Sequence, residues 1–264
     1  MGDWAAQSGG GIRFEWGPAG ARRLASKVAC LVVVDVLSFT TAVSVAVRQG
    51  TRVLPFWPPD GPAATTERAA AEKAAAVYAR QSGARLAVGR RAVTPATPWS
   101  LSPAHLRTAP FAARLVLPSP NGAAIAAAAP PEVRVVAACL RNITAVSSWL
   151  TSRGYGTPEH PVAVIAAGES WPDGSLRPAL EDLLGAGALI SDLHTQGVGP
   201  LSADAGAARA SYEGTADLVH AVAAGASGRE LAVMGFAEDV AIATEEDACA
   251  VVPVRDHDGA FAPG

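Results

Sequence analysis

Four short polar clusters carry the residue types that handle phosphate or a hard cation. They are Asp35 with Ser38, Thr40 and Thr41; Ser119-Pro-Asn121-Gly122; Arg141-Asn142; and Gly168-Glu169-Ser170 followed by Glu181-Asp182. Carboxylates bind a hard dication through oxygen. Helix N–H groups and that dication neutralise phosphate oxygens. The combination suits a Mg2+-assisted phosphate site. Each cluster also has a structural reading. Asp35 and Asn142 could cap helices, and Asn121-Gly122 is a common turn dipeptide. Glu181 and Asp182 open a helix, where acids favour the macrodipole. Neighbours on a helix point about 100° apart, so at most one of that pair naturally faces a given ligand.

The elements that would position these groups alternate along the chain. Residues 28–35 form a short β-branched run without alternation, the pattern of a strand buried on both faces. It ends on Asp35, with a helix to follow over 42–48. Further strands are expected at 51–56, 86–89, 115–117, 133–138, 161–167 and 250–254. Helices are expected at 65–81, 123–129, 142–153, 178–195 and within 202–225, with a Pro/Gly turn at 58–62 and a last helical turn at 239–244. Residues 1–27 read as an irregular N-terminal segment, with an edge strand starting near Phe14. Residues 90–110 read as a long loop or lid, 168–175 as a loop, and 228–235 as a helix end and loop. Strand–loop–helix units in series predict one domain over 28–264, a layered α/β/α fold on a mixed, largely parallel sheet. In such sheets ligands bind beyond the carboxyl ends of strands, where all four clusters fall.

Composition excludes several classes. Among 264 residues, 21 are basic and 24 acidic, and there is no basic run, so nucleic acid is not an expected ligand. Half the residues are apolar, 58 of them alanine, which predicts closely packed helices. Mean hydropathy is +0.23, yet no stretch approaches the ~18 apolar residues of a span. Three widely spaced cysteines, Cys30, Cys139 and Cys249, give neither a disulfide framework nor metal spacing, and a cytoplasmic location is expected. The five histidines never pair at metal spacing, and the common phosphate-loop, dinucleotide, zinc and nucleophile-elbow motifs are absent. Trp99 and Trp171 lie in expected loops, where either could wall a pocket. A homo-oligomer is left open.

The ordered motifs Val33-Val-Asp-Val-Leu-Ser-Phe-Thr-Thr41, Pro118-Ser-Pro-Asn-Gly122, Ala138-Cys-Leu-Arg-Asn142, Ala166-Ala-Gly168 and Ala179-Leu-Glu-Asp-Leu-Leu-Gly-Ala-Gly-Ala188 resemble the 2-phosphosulfolactate phosphatase (ComB) family. The tail from Gly235-Phe-Ala-Glu-Asp239 to Pro253 resembles that family's ending. The resemblance implies an α/β fold and a Mg2+-dependent phosphatase acting on a small phosphorylated carboxylate. Asp35, Thr40, Thr41, Asn121, Gly122, Asn142, Gly168, Glu181 and Asp182 match the family pattern. Several positions depart from it. Ser38 stands where the family usually has Arg, Gly89-Arg-Arg-Ala92 replaces a Gly-Glu-Arg-Gly-Gly-like element, and 96–103 keeps only Ser102-Pro103.

On this basis Asp35, Glu181 and Asp182 are the expected catalytic acids, with Asp35 and Asp182 as ligands of Mg2+ and Glu181 or Asp182 as base. Thr40, Thr41, Asn121, Gly122, Asn142 and Gly168 are the expected substrate contacts. Arg90 and Arg91 read either as solvated loop charges or as a replacement cation. The partner is a small phosphorylated or acidic metabolite. The lost lid charges support two other readings: a member that binds an acidic metabolite without turnover, or a secondary-metabolism hydrolase with a changed substrate.

Overall fold

The structure is a computed structural model and describes residues 3–58 and 65–264. In chain order the first elements are β1 (Ile12–Trp16), α1 (Gly17–Ala25), β2 (Cys30–Val34), α2 (Phe39–Arg48), β3 (Arg52–Phe56), α3 (Thr65–Gln81) and β4 (Arg85–Leu86). Then come α4 (Pro103–Thr108), β5 (Arg114–Pro118), α5 (Gly122–Ala128), β6 (Arg134–Ala138), α6 (Ile143–Ser152) and β7 (Val162–Ala166). A small hairpin, β8 (Glu169–Ser170) and β9 (Leu176–Arg177), precedes α7 (Leu180–Thr195) and α8 (Ala203–Glu213). The chain closes with α9 (Leu218–Ala224), α10 (Ala226–Val233), α11 (Ala237–Ala243), β10 (Pro253–Arg255) and β11 (Phe261–Pro263).

Nine strands form one mixed sheet in the order β1-β7-β2-β6-β10-β11-β3-β5-β4. β1, β7, β2 and β6 run parallel to one another, as do β3, β5 and β4. The joints between these blocks, β6 to β10, β10 to β11 and β11 to β3, are all antiparallel. The two parallel blocks therefore run in opposite senses.

All five residues of β2 are buried, because helices cover both faces of the sheet. Side chains alternate across a strand, and the core divides accordingly. Cys30, Val32 and Val34 pack with residues of α6, α7 and α8. Leu31 and Val33 pack with residues of α1, α2 and α5. This is the layered α/β/α arrangement that the run of strand–helix units predicts. Small residues permit the close packing. A Cβ on Gly187 in α7 would lie 2.3 Å from the Ala208 carbonyl oxygen of α8.

Four expectations need correction. Residues 12–25 are not irregular: β1 adds to the sheet beside β7, and α1 covers the α5 side. Alternating, part-polar Ile12-Arg-Phe-Glu-Trp16 suits an edge position. The segment 90–110 is no loose lid, since it carries a 3-10 turn and α4, with Trp99, Ser100, Ser102 and Leu106 buried. Residues 168–177 form the β8–β9 hairpin rather than a plain loop, and 202–235 resolves into three helices. β11 gave too short an apolar run to be read. The turn expected at 58–62 lies outside the described residues from 59 onward. All three cysteines are free and buried. Burial pushes the Cys139 thiol up to about 11, as befits inert core positions. No helix among the described residues is long and apolar enough to cross a membrane.

Candidate active site

Asp35 follows the last residue of β2 and is 5% exposed. Its Oδ1 accepts the Phe39 N–H at 3.0 Å, capping α2 from four residues upstream. Its Oδ2 accepts the Gly122 N–H at 3.0 Å, at the start of α5. Gly122 is required by this approach, because a Cβ there would lie 2.2 Å from Phe39 Cδ1 and 2.8 Å from Asp35 Oδ2. Burial pushes the Asp35 carboxyl up to about 6, and the Glu181 charge adds to the rise. The two N–H donors and the charge of Arg90 pull the other way.

Asp182, in the first turn of α7, is buried beside it. Its Oδ1 accepts the Val36 N–H at 2.7 Å, and its Oδ2 accepts the Gly168 N–H at 2.8 Å. The two aspartates thus tie the chain after β2 to that after β5 and that after β7. Gly168 has φ +66°, the left-handed region where glycine is favoured, and a Cβ there would meet the Arg177 carbonyl oxygen at 2.9 Å. Burial raises the Asp182 carboxyl well above the usual range, with further push from the Asp35 and Glu181 charges. Glu181 is 2% exposed, and its Oε2 has no hydrogen-bond partner among the described residues. That oxygen lies 3.9 Å from the position a Cβ would take at Gly225, between α9 and α10. Both acids are buried but face different neighbours, as their angular separation on α7 requires.

A fourth carboxylate joins them. Glu169 Oε2 accepts a hydrogen bond from Asn121 Nδ2 at 3.0 Å. Burial and the Asp35 charge raise its carboxyl to about 7, with a smaller push from Glu181; the Asn121 bond and the Arg177 charge pull it down. Glu169 was visible in sequence only as part of Gly168-Glu169-Ser170. Its importance lies in the hairpin that folds it back towards Asn121.

Opposite charge comes from the segment read as a loop or lid, whose Arg90 and Arg91 read either as solvated charges or as a replacement cation. Arg90 Nη2 donates to Ser38 Oγ at 2.7 Å, and Arg90 Nε donates to Asp239 Oδ2 at 3.0 Å. The Phe236 ring lies 5.8 Å from its guanidinium. Asp239 is wholly buried in the first turn of α11, where its Oδ1 also accepts from Ser102 Oγ at 2.5 Å and Ala104 N at 3.2 Å. Of the two arginines in 90–91, only Arg90 makes these contacts. The retained Ser102 and the acid in Gly235-Phe-Ala-Glu-Asp239 were the available sequence signals.

Three expected substrate contacts hydrogen-bond to the backbone. Thr40 Oγ1 accepts the Asp35 N–H at 3.0 Å and donates to the Asp35 carbonyl at 2.7 Å. Thr41 Oγ1 donates to the Val36 carbonyl at 2.8 Å. These threonines clamp the turn that carries Asp35. Asn142 is fully buried: its Oδ1 accepts the Cys139 N–H, and its Nδ2 donates to the carbonyls of Ala137 and Val251. All its polar atoms are engaged, so it braces the end of β6. Trp99 packs in the core with Nε1 donating to the Pro110 carbonyl, whereas Trp171 is 52% exposed under the Arg177 guanidinium.

Among the described residues no three His, Cys, Asp or Glu side chains form a ready metal cage. The arrangement provides something different: buried, mutually repelling carboxylates, one with an unpartnered oxygen, near the fixed guanidinium of Arg90. Groups of this kind can bind a cation, exchange protons near neutral pH and meet an anionic ligand.

No curated protein matches the sequence significantly. The family model for 2-phosphosulpholactate phosphatase matches residues 21–258, a span from α1 to the turn before β11 that includes Asp35, Arg90, Asn121, Glu169, Glu181, Asp182 and Asp239. The chain belongs to the 2-phosphosulpholactate phosphatase family, phosphoric monoester hydrolases.

Proposed function

We propose that the protein is a cytoplasmic, Mg2+-assisted phosphatase that removes phosphate from a small phosphorylated hydroxy acid. The observation that supports this best is the set of three buried carboxylates, Asp35, Glu181 and Asp182, joined by the partly buried Glu169, with Asp35 and Glu169 titrating at about 6 and about 7. The donor chemistry fits Mg2+. Asp35 and Asp182 are the two carboxylates that would hold it. Mg2+ characteristically takes one or two protein carboxylates and leaves other positions to water and substrate phosphate. When bound, it supplies charge neutralisation for the phosphoryl oxygens.

The protein's own groups divide the remaining work. At neutral pH Asp35 is mostly ionised, and Glu169 is close to half-protonated. With Asn121 donating to Glu169 Oε2, the proton of the acid form sits on Oε1. That proton can pass to the leaving alkoxide oxygen as the P–O bond breaks and a water oxygen bonds to phosphorus. The water's proton is lost to solvent or to an acceptor carboxylate, and Glu169 takes up a proton from solvent to restore its acid form.

The test is phosphate release with Mg2+ from a panel of phosphorylated hydroxy acids. The pH profile should be bell-shaped, rising as Asp35 ionises near 6 and falling as Glu169 loses its proton near 7. Asp35→Asn should abolish turnover. A folded wild type that releases no phosphate from any ester would refute the proposal and favour binding without turnover.

A further inference from the structure

The groups gathered at the site are polar, yet the segments that lead into it expose apolar side chains. Three of the exposed large apolar residues, Trp171, Leu176 and Leu180, fall within the one stretch between Glu169 and Glu181. Two more, Val233 and Met234, stand at the end of α10, whose Glu230 meets Arg177 at 3.4 Å. Solitary exposed apolar side chains are ordinary, whereas a cluster rimmed by polar residues marks a binding surface. Ligand sites are lined mainly by apolar and aromatic groups around a few polar ones. Here the carboxylates supply the polar part, and Trp171 is the largest apolar group of the hairpin that carries Glu169.

The hairpin fixes where that ring stands. Its register pairs Glu169 with Arg177 and Ser170 with Leu176. Paired side chains share a face, and successive ones alternate. Glu169 and Arg177 thus project from one face, Ser170 and Leu176 from the other. Leu176 seats the hairpin: its Cδ1 lies 2.8 Å from the position a Cβ would take at Gly168 and 3.1 Å from that at Gly17. The Trp171 N–H donates to the Ser175 carbonyl at 2.8 Å, which carries the pairing one step further and returns Trp171 to the Glu169 face. The Arg177 contact agrees, since its guanidinium lies 5.7 Å from the Trp171 ring centre and its charge acts on Glu169. That guanidinium takes one face of the ring and belongs to a side chain only 14% exposed. The 52% of Trp171 open to solvent is therefore the other face and the edges. Two residues along a strand span about 7 Å. A ring on the alcohol part of an ester held at Glu169 bridges that span, and a methyl group does not.

Resting on the phosphatase reading above, we propose that Trp171 is a specificity-determining residue that stacks against an aromatic or bulky apolar group on the alcohol portion of the substrate. Glu169, two residues away, meets the ester oxygen while the ring holds the carbon skeleton. The backbone bond to Ser175 and the Arg177 guanidinium keep the ring in place. A protein partner seated on Trp171 would also block the approach to Glu169 from the same face, which favours a small ligand as the occupant.

The experiment compares kcat/KM for 2-phospho-3-phenyllactate with that for 2-phospholactate, which differ only in the phenyl ring. The wild type should favour the phenyl ester. Trp171→Ala should lower the ratio of the two values about 10-fold, the scale of a lost aromatic contact and its buried area. Trp171→Phe keeps a smaller flat ring and should fall between. A wild type that favours 2-phospholactate, or an unchanged ratio in folded Trp171→Ala, overturns the proposal. Sedimentation of the same variants identifies the other occupant: weaker self-association with an unchanged ratio makes the ring an interface between copies, and the proposal fails. If the wild type hydrolyses neither ester, the phosphatase reading fails separately. Trp171 is then judged by calorimetric binding of the same two esters. A selective loss of the phenyl ester in Trp171→Ala supports the assignment, and no selective loss, or no binding of either ester, overturns it.

Discussion

Glu169 links the chemistry of the site to the stability of the fold. Its carboxyl rises from an ordinary 4.5 to about 7 in the native protein, chiefly through burial. At ~1.36 kcal/mol per pH unit, ionised Glu169 costs the native state about 3 kcal/mol relative to the unfolded chain. The half-open position of the side chain reduces that to about 2–3 kcal/mol. The native pKa lies above the unfolded one, so the folded state binds more protons between pH 4.5 and about 7. Stability from this group is therefore complete below pH 4.5 and is lost as pH rises towards 7. Glu169→Gln keeps a carbonyl oxygen for Asn121 Nδ2 and cannot ionise. The variant should gain on the wild type progressively across that window and be more stable by about 2–3 kcal/mol at pH 8. For a chain of this length, that is about 4–12 °C in melting temperature. Urea unfolding at pH 4.5, 6 and 8 measures the difference directly. Turnover should fall by about 10²-fold or more in the same variant, since its proton donor is gone. A stability difference that does not depend on pH, or one that favours the wild type at pH 8, refutes the reasoning.

Two substitutions separate site geometry from substrate contact. Gly122→Ala places a methyl against the buried Phe39 ring and Asp35 Oδ2. The overpacking and the disturbed N–H bond to Asp35 should cost about 2–4 kcal/mol in urea unfolding, and an unchanged midpoint would contradict the packing described. Asn142→Ala strands the Cys139 N–H and two buried carbonyls, so about 2–4 kcal/mol should be lost in stability. A raised KM at unchanged stability would instead return Asn142 to the substrate.

Much of the frame can be read from local pattern. The unbroken β-branched run before Asp35 demands burial on both faces, and it forms the central strand of the parallel block. Asp35 at its end and the acids opening α7 follow from position along the chain. The edge strand expected near Phe14 is β1, which begins at Ile12; the rest of residues 1–27 read as irregular because β1 is short and part-polar and gains its definition from β7. Thr40, Thr41 and Asn142 look like ligand contacts in sequence because hydroxyl and amide groups serve substrates and backbones equally well. Only the hydrogen-bond partners distinguish those uses.

The sequence alone determined the residue types: several acids, few charges elsewhere, and the strand–helix alternation that brings acids to strand ends. Tertiary structure decided which of them meet. β5 belongs to the block that runs opposite to β2, yet Gly122 reaches Asp35 and Asn121 reaches Glu169. Arg90 meets Ser38 across 52 residues and Asp239 across 149. The physical reason is that pKa and ligand affinity depend on burial and on neighbouring charge. A linear pattern supplies the groups, and the packed sheet and helices supply the low-dielectric surroundings that make them chemically unusual.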